Sequence, residues 1–463
     1  MILNSNKNQF VLCLTFFVFC TAINPVNAQK VMKPESLDRG DSYDLPQATR
    51  IIQVHDNGDL EKAISGMQQG DRIVLHDGEY EGLNIENKNV GTNNSPVAII
   101  AKNPHKAIIK GSTYGRNLRL SNCSHIHFYG IRFTGGKTWG VTVGPAYADD
   151  SLTRGCHHLL FRGCEIDHAR QELLKISGNS SFIEVIGNEL HHSGKGLKGA
   201  PYAEGIYVGC GTTKDDRSHD ILIRNNHIHH IGRAENPGYG EGIDIKVQTW
   251  NITVVENLLE HITVHSQAAI TVHANNVNFP KKKRNPNILV SRNRIHDVRK
   301  CDEGWDGAGI WVGSNGVEVS NNVIWDTYDS SIVAKKDASN TRDSLRIYHN
   351  TCFSVIGGEE ACFSVNSDGI YGSSPVNPVI INNITDDGSA GQGNYTASGW
   401  DFKGPVTGDA DAGSGIGSGF MLQSASNAVD HGKNMDRISY DITGTKRPQG
   451  NDYDIGAFEI KRD

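Results

Sequence analysis

The residues of this chain that are best suited to chemistry lie in the stretch Glu241-Gly242-Ile243-Asp244-Ile245-Lys246. Its apolar residues alternate with Asp244 and Lys246, which predicts a strand that buries Ile243 and Ile245 and turns an acid and a base to the opposite face. Such a pair can orient, accept or donate a proton, and the packing of a core does not require it. We therefore take this stretch as the centre of a candidate site.

The same alternation recurs along much of the chain. The repeated strands begin at Val141, Leu174, Ile206, Ile243, Ile270, Ile310, Ile332 and Phe363. A second type of strand follows most of them and ends in an asparagine, at Asn188, Asn226, Asn257, Asn293, Asn322 and Asn350. The asparagines lie roughly 28 to 38 residues apart, a period typical of solenoids.

This repeat favours a β-helix over a propeller. Propeller blades need antiparallel hairpins, whose Asn-Gly turns are rare in this sequence. Asparagines in register suit a bend at which side chains bond from coil to coil. We predict an all-β chain that forms a single-domain right-handed parallel β-helix.

Stacking the coils predicts two outward columns of side chains, in which neighbours lie about 4.8 Å apart. The first column is Thr142, Lys175, Tyr207, Asp244, Thr271, Trp311, Val333 and Ser364. The second column is Gly144, Ser177, Gly209, Lys246, His273, Gly313, Lys335 and Asn366. Together they concentrate acidic, basic and aromatic groups over the central coils, as expected for a polysaccharide groove.

These residue types suit β-elimination on a uronate-containing glycan. The reaction needs a base for the proton beside the carboxylate and a donor for the departing oxygen. Lys246 is the candidate base, and His273 and Tyr207 are candidates for donor or base. Asp244 would orient Lys246 or help to hold a cation.

Other side chains are candidates for binding the substrate or for a different reaction. Those expected to bind an anionic glycan are Lys175, Trp311, Lys335, Lys281 and Arg284. A glycoside hydrolase would instead use two carboxylates from Glu204, Glu241, Asp244 and Asp306. A non-catalytic glycan-binding solenoid is the third hypothesis. Calcium is a candidate cofactor, although the loop acids lack the spacing of an EF-hand.

Histidines recur at one point of several coils, in Leu190-His191-His192, Ile228-His229-His230 and Ile295-His296. Because they follow the repeat, we interpret them as structural residues of the coil and not as metal ligands.

Composition and charge narrow the class of protein. The chain has 463 residues with 51 glycines and 14 prolines, which favours short strands joined by turns. A net charge of −7 does not suggest a nucleic-acid partner. The cysteines show no zinc spacing and no disulfide framework, so we interpret most of them as buried thiols.

The N-terminus predicts export. Lys7 precedes an apolar run, and Val26-Asn27-Ala28 suits cleavage after Ala28. We expect a signal peptide over 1–28, a flexible lead over 29–48 and the β-helix domain over 49–463, which begins with a short capping helix. Cys20 raises a less favoured lipoprotein alternative. After cleavage we expect a periplasmic or secreted protein without a membrane span.

Several stretches resemble known β-helix proteins. The run from Gly70 to Tyr80, Pro96-Val-Ala-Ile-Ile-Ala and Ile109-Lys-Gly resemble the first coils of the chondroitinase B and alginate lyase group. The central coils and the tail Asp452-Tyr-Asp-Ile-Gly-Ala-Phe-Glu are similar to the broader pectate-lyase-like superfamily. This resemblance implies a secreted bacterial β-helix protein that acts on polysaccharides.

Overall fold

The structure is a computed structural model. It describes residues 43–111, 115–145, 155–194, 203–211, 216–232, 240–273, 286–302, 304, 306–314, 316–334, 345–355, 361–365, 379–389, 392–404, 417–435 and 438–462. The predicted signal peptide over 1–28 lies outside this set.

In the described residues the strands form three parallel sheets. Sheet 1 contains Arg50–Val54, Asp71–Leu75, Val97–Ala101, Ile126–Tyr129, His157–Arg162, Ser181–Ile186, His219–Arg224, Trp250–Val255, Ile288–Ser291, Val317–Ser320, Arg346–Tyr348 and Val379–Ile381. Sheet 2 contains Leu83–Glu86, Leu118–Ser121, Val141–Val143, Leu174–Ile176, Ile206–Val208, Ile243–Ile245, Ala268–Val272, Ala308–Val312, Ile332–Ala334 and Phe363–Ser364. Sheet 3 contains Gly78–Tyr80, Ala107–Lys110, Arg132–Thr134, Glu165–Asp167, Glu189–His191, His227–Ile231, Leu258–Val264, Arg294–Ile295, Val298–Lys300, Val323–Thr327, Thr351–Val355, Ile384–Thr385 and Tyr395–Thr396.

Each coil passes through sheet 1, then sheet 3, then sheet 2. One central coil runs through His219–Arg224, His227–Ile231 and Ile243–Ile245. Strands of successive coils pair in parallel, so that Ile206 lies beside Ile243 and Ile243 lies beside Ile270. Their apolar side chains stack inside the coil, where they are fully buried. The predicted right-handed parallel β-helix is confirmed.

The predicted columns are confirmed wherever the structure describes them. In sheet 2 the backbone pairs Thr142 with Lys175, Lys175 with Tyr207, and Tyr207 with Asp244. The pairing then continues through Thr271, Trp311, Val333 and Ser364. The second column keeps the same register, since the N–H groups of Lys246 and His273 donate to the carbonyls of Val208 and Ile245.

A short helix covers the first coils. It spans Asn57–Ser65, and the side chain of Asp56 caps it by accepting the backbone N–H of Asp59 at 2.8 Å. Its buried face, which includes Leu60 and Ile64, joins the main core. The helix therefore supplies the predicted N-terminal cap.

The recurrent asparagines form a buried ladder at one bend of the coil. The Nδ2 of each donates to the Oδ1 of the next, at 2.9 to 3.0 Å, from Asn188 through Asn226, Asn257, Asn293, Asn322 and Asn350 to Asn383 and Asn394. Each Oδ1 also accepts a backbone N–H of the preceding coil, as Asn257 does from Asn226 at 3.0 Å. The ladder thus satisfies buried polar groups and fixes the register of the bend.

The C-terminal residues close the other end of the stack. Phe402, Phe420 and Phe458 pack with Trp325 in a second apolar cluster that borders the last coils. Arg447 is fully buried and pairs with Glu459 at 3.1 Å. Phe458 belongs to the C-terminal tail that resembles the pectate-lyase-like superfamily, so this tail forms part of the second apolar cluster.

Cys123, Cys156, Cys164, Cys301, Cys352 and Cys362 are buried thiols outside any disulfide of the described residues. This agrees with their interpretation as small apolar groups. Of the helices that the structure describes, none is long and apolar enough to cross a bilayer.

We expect Asn257→Ala to destabilise the coil strongly. The change removes the acceptor for both the backbone N–H and the side-chain amide of Asn226, and the donor to the carbonyl of Ile223. Unsatisfied buried groups cost about 1–3 kcal/mol each, so the loss of these three bonds should lower the free energy of unfolding by about 3–9 kcal/mol. Urea unfolding followed by circular dichroism measures this.

The matched control is Asn84→Ala, because the side chain of Asn84 is exposed and, among the described residues, donates to Glu86 at the surface. We expect a change of about 0.5 kcal/mol or less in the control. Equal effects of the two substitutions would contradict a stabilising role of the ladder.

Candidate active site

The candidate site lies on the outer side of sheet 2, over the strands Leu174–Ile176, Ile206–Val208 and Ile243–Ile245. The bend before each of the last two strands is tight. A Cβ atom at Gly205 would lie 2.5 Å from the carbonyl oxygen of Gly242 on the next coil. Glycine at this point lets neighbouring coils approach closely and brings their outward side chains together.

Lys246 is at the centre of the site. Its Nζ forms an ion pair with Asp244 and lies 3.0 Å from Nε2 of His273. His273 Nε2 is in turn 3.1 Å from Asp244 Oδ1. The three side chains therefore form one connected acid-base group, built from the two columns that the sequence predicts.

Asp244 lies in the predicted outward column of sheet 2, but its side chain is not exposed to solvent. Asp244 is 0% exposed, and the side chains of Lys246 and His273 are each 14% exposed. The reason is that Lys246 and His273 both contact the Asp244 carboxylate and cover it. The reachable group of the pair is Lys246.

Tyr207 lies between two ammonium groups. Lys175 Nζ is 4.3 Å and Lys246 Nζ is 5.0 Å from the centre of the ring, within the range of a cation–π interaction. The hydroxyl accepts the backbone N–H of Gly211 at 2.9 Å and keeps its own proton to donate. Burial, with the carboxylates of Asp244 and Glu204, raises the pKa of Tyr207, so the phenol is a proton donor at neutral pH.

Three buried carboxylates meet beside this group. Glu204, Glu241 and Asp244 each offer an oxygen, and these atoms lie within 4.8 Å of one another. The Oε2 atoms of Glu204 and Glu241 are buried and have no hydrogen-bond partner among the residues that the structure describes. Glu172 lies one coil earlier in the same position and pairs with Lys175 at 2.9 Å.

Burial and mutual repulsion both raise the pKa values of these acids, whereas contact with Lys246 and His273 lowers the pKa of Asp244. Burial, with the charge of Asp244, raises the pKa of Glu241 to about 8. Burial also raises the pKa of Glu204, and the charges of Glu172 and Glu241 add to this. Burial alone would raise the pKa of Asp244, but Lys246 and His273 outweigh it and hold that pKa below its usual value.

The same charges act on the lysines. Burial lowers the pKa of Lys246, but Asp244, Glu241 and Glu204 outweigh it and raise that pKa above its usual value. Glu172 raises the pKa of Lys175 above its usual value in the same way. Lys246 is therefore protonated as long as its acidic neighbours are ionised.

The carboxylate cluster of Glu204, Glu241 and Asp244 fits a hard cation. Calcium prefers carboxylate oxygens, and the unpartnered Oε2 atoms offer lone pairs that the protein leaves unused. These three residues would bind calcium, the candidate cofactor that the sequence suggests.

The other predicted residues have varied positions. The ring of Trp311 lies 5.9 Å from that of His273 and packs on Ala268, Ala308 and Val333, so it borders the site. Asp306 is outside the carboxylate cluster and accepts the backbone N–H of Gln267 at 3.2 Å.

Three predicted substrate-binding residues cannot be placed. Lys281, Arg284 and Lys335 lie outside the described residues.

Sequence reasoning missed Glu172. Its signal is positional, because Glu172, Glu204 and Glu241 each precede their column residue by three positions: Lys175, Tyr207 and Asp244. Stacking the coils one step further toward the N-terminus finds it.

A separate groove lies on another sheet. A groove of about 990 Å³ runs along the outer side of sheet 1, where Leu222, Thr253 and Leu289 line it. The buried contacts of Lys246 with Asp244, His273 and the ring of Tyr207 lie instead on sheet 2, and we place the candidate active site there on that basis.

Comparison with known families gives a match over part of the chain. Residues 54–171 match the family model described as Chondroitinase B. This range contains the first coils and ends before the Lys246 strand. The comparison with curated proteins gives no match.

Several solved structures are similar to this chain at low sequence identity. Pectate lyase Pel9A is 15% identical, with a TM-score of 0.52 over 89% of this chain and 97% of that chain. XylC in complex with xylose is 11% identical, with a TM-score of 0.53 over 89% and 99%. Alginate lyase from Paenibacillus sp. str. FPU-7 is 18% identical, with a TM-score of 0.48 over 72% and 100%.

These comparisons confirm the resemblance found in the sequence. The first two structures support the fold of the chain. It is a right-handed parallel β-helix protein whose N-terminal coils resemble the chondroitinase B family.

Proposed function

We propose that this protein is a polysaccharide lyase that cleaves a uronate-containing glycan by β-elimination. The observation that carries the proposal is the contact of Lys246 with Asp244, His273 and the ring of Tyr207, beside a cluster of buried carboxylates. The match of the first coils to the chondroitinase B family supports it.

Two residues of the site would carry the proton transfers. Neutral Lys246 takes the proton from the carbon beside the uronate carboxylate, and a carbon–carbon double bond forms as the glycosidic carbon–oxygen bond breaks. Tyr207 gives its proton to the departing oxygen. His273 and Asp244 hold the Lys246 amine in place through their contacts with Nζ.

The raised pKa of Lys246 must fall before it can act as a base. The cause is the negative charge of Asp244, to which Glu241 and Glu204 add when they are ionised, so neutralising these charges removes the cause. A calcium ion at these carboxylates would cancel this charge and would also attract the carboxylate of the substrate.

The N-terminus supports action outside the cytoplasm. The apolar run after Lys7 and the small residues before Gln29 suit export. We propose a periplasmic or secreted enzyme, where long glycans are accessible.

A glycoside hydrolase is the second candidate, because two neighbouring carboxyl groups have opposite pKa shifts. Glu241, with a pKa raised to about 8, is protonated at neutral pH, while the pKa of Asp244 is lowered and its carboxylate is ionised. An acid next to an ionised carboxylate suits glycosidic hydrolysis with retention, which uses carboxyl groups about 5–5.5 Å apart. XylC with bound xylose shares the fold.

Lys246→Met tests the leading proposal. Loss of a general base costs typically about 10²–10⁴-fold, so we expect kcat to fall by at least about 100-fold. The assay follows absorbance of the unsaturated product on pectic, alginate and glycosaminoglycan substrates. Lys110→Met is the control, since Lys110 is exposed and its ion-pair partner among the described residues is Glu79, at the surface.

The products separate the candidate functions. Unsaturated product at an undiminished rate in Lys246→Met would exclude Lys246 as the base. Release of sugar without the unsaturated chromophore would favour the hydrolase, and glycan binding without turnover would favour a binding solenoid.

The raised pKa of Glu241 predicts that the free energy of unfolding depends on pH. Its folded pKa of about 8 lies above its unfolded value, so the folded state binds an extra proton between these values and loses stability as pH rises. We expect Glu241→Gln to reduce this loss by about 1.4 kcal/mol per pH unit between pH 5 and 8. Urea unfolding at several pH values measures the slope.

Calcium adds a second arm to this experiment. We expect calcium to stabilise the wild type at pH 8 more than at pH 5, and to stabilise Glu241→Gln less. Glu79→Gln, at an exposed ion pair, should behave as the wild type. Identical slopes and calcium responses in wild type and Glu241→Gln would exclude the buried carboxylate cluster as the cause.

A further inference from the structure

A second group of titratable side chains lies on sheet 3, apart from the candidate active site. His227 and His229 alternate along one strand, so both imidazoles lie on the same face. The parallel register places Glu189 of the preceding coil beside His227. All three side chains are half-buried.

We propose that Glu189, His227 and His229 bind a divalent transition-metal ion of the zinc class. Each residue offers one ligand atom, and these atoms lie within 4.8 Å of one another. Two imidazoles and one carboxylate are a ligand set that zinc accepts, whereas calcium prefers oxygen ligands. A fourth ligand position is left for water.

Hydrogen bonds orient both imidazoles for this role. Glu260 Oε1 lies 2.7 Å from His227 Nε2, so a proton on Nε2 leaves the lone pair on Nδ1. His229 Nδ1 lies 2.8 Å from His230 Nδ1, while His229 Nε2 faces Glu189 Oε1 at 3.3 Å. Bonds of this kind fix the tautomer and ring position of metal-binding histidines.

The preceding coil has a similar cluster of carboxylates and a histidine, in which the side chain of Arg132 is the cation. Glu165, Asp167 and His191 also bring ligand atoms within 4.8 Å of one another. There Arg132 Nε lies 3.2 Å from Glu165 and 2.8 Å from Asp167. Among the described residues the ion partner of Glu189 is the imidazole of His229, which is itself a metal ligand when neutral.

The ligands come from two successive coils. Glu189 lies on Glu189–His191 and the histidines lie on His227–Ile231, which are neighbouring strands of sheet 3. A bound ion would join these coils and stabilise the folded state, because it binds the folded chain in preference to the unfolded one. The histidine repeat of the sequence would then have a binding role at this point.

Zinc titration of the chelator-treated full-length protein tests the proposal. We expect the double variant His227→Gln/His229→Gln to bind one equivalent of Zn²⁺ less than the wild type by calorimetry. Cobalt substitution should give a tetrahedral absorption band that the double variant lacks. Zinc should raise the thermal unfolding midpoint of the wild type more than that of the variant.

Glu260→Gln tests the orienting bond. Loss of such a partner typically weakens metal affinity about 10–100-fold, and we expect a change in this range with the stoichiometry retained. The difference in equivalents is the measure, because His125, His157 and His158 form a further cluster that could take zinc.

His431→Gln is the matched control, since His431 is exposed and bonds to the carbonyl of Val429. It should keep the zinc stoichiometry and cobalt spectrum of the wild type. Unchanged zinc stoichiometry and cobalt spectrum in the double variant would overturn the proposal. Circular dichroism of each variant confirms that the comparison is made between folded proteins.

Discussion

The register between successive coils determines where the functional side chains of this protein lie. Parallel backbone hydrogen bonds hold neighbouring strands one spacing apart, about 4.8 Å. Residues distant in sequence, such as Lys175, Tyr207 and Asp244, therefore become direct neighbours. A shift of one residue in any strand would turn these side chains into the core and expose an isoleucine instead.

The same spacing forces like charges together. Glu172, Glu204 and Glu241 occupy one position of three successive coils, and all are buried. Lys175 and Lys246 partly offset the repulsion between these carboxylates. The repulsion that remains, together with burial, raises the pKa values of Glu204 and Glu241. This cluster of buried glutamates opposes folding. The stability of the folded protein must therefore come from the apolar stack and the asparagine ladder. Such a cost is typical of functional sites.

The sequence predicts the fold and the columns because both follow from periodicity. Alternating apolar residues fix the inward face of each strand, and recurrent asparagines mark the bend, so the neighbours of Asp244 follow by stacking. The covering of Asp244 was not predictable, since it depends on how the side chains of Lys246 and His273 fold back onto the carboxylate. The contact of Glu189 with His229 also required the register of sheet 3, which the variable loops hide in the sequence.

The asparagine ladder has a consequence for how this molecule can change in evolution. Because the side chain of each asparagine bonds to groups of the coils next to it, the stack can lengthen by duplication of a whole coil without altering the bend. A coil added beyond Asn322 would leave the Lys246 region unchanged. A coil added between Tyr207 and Asp244 would separate them by one further strand spacing and divide the charge cluster. The ladder thus lets the solenoid lengthen by whole coils, whereas the charge cluster does not tolerate a coil inserted at its centre.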